Sequence, residues 1–115
     1  MPSVEVYKER IKKELLIAGD SRKQGNEGRV RVCARRAAGI ALTYYFEQQN
    51  EILVEQDAMD LLKRVESINT FPPELQQAAA RLTKRVSTDF QYASQSDAIE
   101  DAKEIIKYIF TTITQ

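Results

Sequence analysis

The chain has 115 residues, room for one ordinary domain (residues 1–115) and too few for two. Its 17 Lys and Arg cancel its 17 Asp and Glu, which argues against nucleic-acid binding driven by net charge. Having no histidine and a single cysteine, Cys33, it cannot build Ser-His or Cys-His nucleophiles, the Glu-x-x-His pairs of a di-iron bundle, or an internal disulfide.

The charges are unevenly spread. Arg22, Lys23, Arg29, Arg31, Arg35 and Arg36 crowd residues 20–36, whereas Asp97, Glu100, Asp101 and Glu104 crowd residues 97–104. No apolar run approaches a membrane span, and Met1 to Lys13 carries no signal-peptide core. The expectation is a soluble, cytoplasmic protein without a cofactor, and the lone thiol suits a reducing compartment.

Apolar residues recur at helical spacing almost throughout. Val4, Tyr7, Ile11, Leu15 and Ala18 form the stripe of a first helix, with Glu5, Lys8, Glu9, Lys12 and Lys13 around it. Gly25 and Gly28 bracket a turn, and Asn26 is the expected N-cap of a second helix running to about Gln49, with Asn50 as its left-handed cap. Gly25-Asn-Glu-Gly28 is no phosphate loop, since it lacks the lysine and the preceding strand.

Ile52, Leu53 and Val54 give a short apolar anchor before a third helix, capped by Asp57 and burying Ala58, Leu61, Leu62, Val65 and Ile68. Phe71-Pro72-Pro73 stops it, because residues before proline are pushed out of helical geometry. Pro73 opens a fourth helix with the stripe Leu75, Ala78, Ala79, Leu82 and Val86. Ser87 to Gln95 is polar and irregular apart from Phe90 and Tyr92. Ser96 is the expected cap of the last helix, which turns Ala98, Ala102, Ile105, Ile106, Ile109 and Ile113 inward. The fold class is all-α, an up-down bundle of about five helices with a four-helix core.

The second helix is the most informative element. At about 100° per residue, Val30, Cys33, Ala34, Ala37, Ile40, Ala41 and Tyr44 share one broad face. Val32, Gly39 and Phe46 fall on the opposite side at spacings of seven, with Thr43 beside them. Either the helix is central in the bundle, or Val32, Arg36, Gly39, Thr43 and Phe46 form a twofold dimer interface. Gly39 asks for close approach of another element, since glycine costs about 1 kcal/mol against alanine inside a helix. Arg29 and Arg36 border the core face on one edge, and Arg31 and Arg35 on the other. They either snorkel over the core to reach carboxylates or form a phosphate or RNA-backbone site. Cys33, on the core stripe, is expected to be an inert buried thiol. Tyr45 and Tyr92 are candidates for stacking on a base, and Tyr44 belongs to the core.

The layout resembles the HEPN family, small helical domains named for nucleotide binding in prokaryotes and higher eukaryotes. The likeness lies in Arg31-Val-Cys-Ala-Arg-Arg-Ala-Ala-Gly-Ile-Ala-Leu42, in Asp57-Ala-Met-Asp-Leu-Leu62, and in Ser96-Asp-Ala-Ile-Glu-Asp-Ala-Lys-Glu-Ile-Ile106. It implies a helical bundle that partners a minimal nucleotidyltransferase, often as half of a toxin–antitoxin pair, or that serves as a nucleotide-binding accessory. Many members resemble ribonucleases through an arginine followed four to six residues later by histidine. Arg81 and Arg85 stand in that region, but no histidine follows.

Three readings result. The first is a non-catalytic, dimeric interaction module whose partner is a nucleotidyltransferase-type toxin. The second is a nucleotide- or RNA-binding module using Arg31, Arg35, Arg36, Arg81, Arg85 and Tyr92. The third is a divergent ribonuclease in which Arg85 and Asp89 act with a metal. Glu100 and Glu104 are assigned to the helix dipole and solubility and not to a metal.

Overall fold

The computed structural model describes residues 3–49, 56–84 and 97–113. Among them there are five helices and no strand: α1 (Val4–Lys23), α2 (Glu27–Gln48), α3 (Ala58–Ser67), α4 (Pro73–Thr83) and α5 (Ala98–Ile113). The all-α bundle read from the apolar spacing is the observed fold. Asn50, Ile52, Leu53, Val54, Val86, Phe90, Tyr92 and Ser96 lie outside the described residues.

The helix ends follow local chemistry. Gly25 takes a left-handed φ of 76° after α1, a conformation that costs glycine nothing. The Asn26 side chain accepts from the Arg29 backbone N–H at 3.1 Å and starts α2. Asp57 and Asp60 close a reciprocal capping box on α3, at 2.9 and 3.2 Å. Pro73 opens α4, where a missing N–H is harmless. At α5 the observed cap oxygen is that of Asp97, one residue after the expected Ser96, and it accepts from the Ile99 backbone N–H at 2.8 Å.

α2, α3, α4 and α5 close a ring, each packed on the next and α5 back on α2, while α1 lies along the outside of α2. Tyr7 reaches Glu47 and Ala18 packs with Val30, so α1 runs antiparallel to α2. The main core joins Ala34, Ala38, Ala41, Leu42 and Phe46 of α2 to Leu61, Leu62, Val65, Leu75, Leu82, Ile105 and Ile109. The Tyr7 hydroxyl donates to Glu47 at 2.5 Å; burial and that carboxylate together push its pKa up to about 12.

α2 is therefore wrapped on both faces. The side of α2 expected to be core is buried at Val30, Cys33, Ala34, Ala37 and Ala41. The opposite side is covered as well. A Cβ on Gly39 would stand 2.6 Å from the Ala58 Cβ and 3.0 Å from its Cα, so α3 starts directly against α2 there. Phe46 is 3% exposed, and the Arg64 guanidinium lies 3.9 Å from its ring centroid. The Thr43 hydroxyl turns back onto the Gly39 carbonyl at 2.8 Å. The dimer interface expected from Val32, Arg36, Gly39, Thr43 and Phe46 is corrected accordingly. Gly39 and Phe46 are internal, Thr43 is half-buried, and Val32 and Arg36, one turn apart, remain exposed.

Two glycines test this arrangement with opposite signs. Gly39→Ala must push α3 away and is expected to destabilise by about 1–3 kcal/mol despite the better helix propensity. Gly19→Ala, with nothing within 4 Å of the added Cβ, is expected to stabilise by about 0.5–1 kcal/mol. Urea denaturation of both variants reads the two signs directly.

Candidate functional site

The candidate arginines are brought to two structural tasks. Arg31 and Arg35 lie one turn apart on α2 and face the end of α4, where the last carbonyls of a helix lack intrahelical donors. Arg31 donates to the Lys84 carbonyl; Arg35 donates to the Leu82 carbonyl and, at 3.0 Å, to that of Lys84. Both place positive charge at the negative end of the α4 dipole. Arg81 takes Asp101 in a forked pair, with contacts of 2.9 to 3.2 Å, and Asp101 is only 4% exposed. These three form a lock between α2, α4 and α5. The structure thus gives three of the arginines expected at a nucleotide or RNA site a structural task, holding carbonyls and a carboxylate of the bundle.

Arg36 is different. It is exposed, and with Arg10, Glu14, Thr43 and Gln56 it lines a hollow of about 240 Å³ over the α2–α3 contact. Arg85, Asp89 and Tyr92 lie outside the described residues. Tyr45 packs between Phe46 and Phe71, with centroids at 5.2 and 5.3 Å, so the base-stacking role expected of it gives way to a core contact. Cys33 is buried as expected; burial pushes its thiol pKa up and the Glu14 carboxylate adds to this, which suits an unreactive side chain. Among the described residues no three His, Cys, Asp or Glu side chains gather into a metal-binding cluster.

A larger concave surface lies elsewhere, between α1 and α5. Both helices pack on α2, yet they make no comparable contact with each other. Among the described residues, side chains bridge them towards the ends. At one end Lys8 lies 5.5 Å from the centroid of the Phe110 ring, and at the other Arg22 pairs with Asp97 at 2.7 Å. Burial alone would raise the Asp97 carboxyl, but the Arg22 guanidinium and two backbone amides hold it below the usual carboxylate range.

Between these ends runs a groove of about 860 Å³, within the range of ligand-binding clefts. Its apolar lining comes from Ile11, Leu15 and Leu16 on α1 and from Ile99, Ile106 and Phe110 on α5. Leu16 is 61% exposed, far more than a leucine on a packed helix needs to be. Lys8, Lys12, Lys103 and Lys107 line it too, and among the described residues no acidic residue does. The single-stripe reading of α1 missed this site. The signal was present in Leu15-Leu16-Ile17 and Ile105-Ile106, apolar runs too wide for one stripe, and in two lysine pairs at i, i+4.

Compared with known proteins, the chain matches no family model, no curated protein and no solved structure.

Two substitutions separate lock from surface. Asp101→Asn leaves Arg81 facing a neutral group at a buried position and is expected to cost about 3 kcal/mol at neutral pH. Arg36→Ala should stay within about 0.5 kcal/mol of the parent. Chemical denaturation measures both. A third variant reads pH. The folded pKa of Asp97 is depressed, so its contribution is present above the unfolded value near 4 and is lost as pH falls through the folded one. Asp97→Asn should therefore lower stability at pH 7 and converge with the parent in acid.

Proposed function

We propose that this chain is a non-catalytic helical bundle that acts by holding a protein partner in the groove between α1 and α5. The observation that carries this reading is the groove itself, a long apolar cleft with an exposed leucine on its wall and lysines along its lining. Such a surface fits the mode in which an amphipathic helix lays its apolar side into a groove.

Kinship with HEPN domains belongs to this proposal and is carried by the layout of the sequence. So does the partner class that the resemblance implies, a nucleotidyltransferase-type toxin. A homodimer seated on Gly39 and Phe46 of α2 is not part of this reading, since Ala58 packs on Gly39 and Phe46 is buried. A cytoplasmic setting is part of the same reading; among the described residues no helix is long and apolar enough to cross a membrane.

A second reading, nucleotide or RNA binding, is favoured by one observation, the exposed Arg36 beside Arg10 at the smaller hollow. The third, a metal-dependent ribonuclease built on Arg85 and Asp89, has no further support.

Amide chemical shifts of the labelled chain discriminate the readings. Addition of amphipathic helical peptides is expected to move resonances of Leu15, Leu16, Ile99 and Ile106, while mononucleotides and a short RNA at low salt move none. Shifts at Arg10 and Arg36 on adding RNA, with a groove silent to every peptide, would replace the first reading by the second.

A further inference from the structure

Resting on the reading of the groove as a partner site, we propose that its occupant is an acidic amphipathic helix of about three turns, supplied by another protein. The dimensions come first. From Lys8 to Gly19 along α1 the groove is ~17 Å long, the rise of three turns of helix. α1 runs antiparallel to α5, since Lys8 meets Phe110 and Arg22 meets Asp97. The two make the walls, and a helix laid between them packs on both.

Charge then selects the occupant. Lys8 and Lys12 lie one turn apart on one wall, and Lys103 and Lys107 one turn apart on the other. Among the described residues none of the four has a carboxylate partner. The groove therefore offers an apolar floor between two cationic rims. Its complement is an apolar stripe with carboxylates on both flanks, spaced by one turn. A fatty acid carries a single carboxylate at one end, whereas these lysines are spread over about two turns. A second copy of the chain would bring its own lysine rims against these, and like charges would face each other across a twofold contact.

The test uses the full chain and three labelled helical peptides that share one apolar stripe and carry Glu, Gln or Lys at the flanking positions. Binding is followed by fluorescence anisotropy at low and high salt. The Glu peptide should bind at least tenfold more tightly than the Gln peptide, and the Lys peptide more weakly than either. Its advantage should shrink as salt rises. The double variant Lys12→Glu, Lys103→Glu, checked for helix content by circular dichroism, brings the four rim charges to a net of zero and should erase the order.

Equal binding of all three peptides would overturn the acidic occupant while leaving the groove as a partner site. If none of them binds to the folded parent, the partner reading falls with it. Displacement of the Glu peptide by oleate or by anionic vesicles at equal or lower concentration would overturn the protein-helix occupant in favour of a lipid. Self-association of the parent that Leu16→Arg abolishes would overturn it in favour of a second copy.

Discussion

Close approach of α2 and α3 at Gly39 is the constraint on which the rest of the structure depends. Without a Cβ at that position, the Ala58 methyl can come almost onto the α2 backbone, and α3 covers the side of α2 that α1 leaves open. Once α2 is wrapped, its small residues Ala34, Ala37, Ala38 and Ala41 make sense as well, since each lets a neighbouring helix come near. The cost of a glycine inside a helix is offset by burial of Leu61, Leu62 and Phe46 on the same contact. Because α2 is the shared partner, α1 and α5 are positioned chiefly by it and touch each other little. The groove follows from that.

The division of labour among the cations follows the same logic. Guanidinium groups present flat forks with several donors and lose hydration at modest cost, so they suit the end of a helix and a buried carboxylate. Arg31, Arg35 and Arg81 are used in this way. Lysine ammonium groups are compact and strongly hydrated, and Lys8, Lys12, Lys103 and Lys107 stand at solvent around an apolar cleft. A neutral total charge thus hides a locally positive surface. Net charge argued against nonspecific binding to nucleic acid, but it could not reveal a rim of four lysines contributed by two helices far apart in the chain.

Much of the architecture was legible in the sequence, because apolar spacing, Asn26, Asp57 and the Phe71-Pro72-Pro73 stop are all local signals. The doubly apolar character of α2 was legible too. Whether its second face meets another copy or another helix of the same chain was not, since helical periodicity reports burial without naming what buries it. Arg31 and Arg35 looked like ligand-binding residues for a related reason. Their partners, the carbonyls of Leu82 and Lys84, lie about fifty positions away and carry no side-chain signature. The groove was hidden because its two walls, α1 and α5, lie far apart in the chain, and only the fold sets their wide apolar runs side by side.

Light scattering combined with circular dichroism on the parent, Val32→Glu and Phe46→Glu tests most directly whether the second face of α2 is internal. Val32 is 40% exposed, so the account predicts that Val32→Glu keeps both the fold and the mass of the parent. Phe46→Glu places a carboxylate in the core and should lose its helical signal altogether. A folded Phe46→Glu monomer derived from a dimeric parent would contradict the account, for it would mean that this face meets a second copy and not α3.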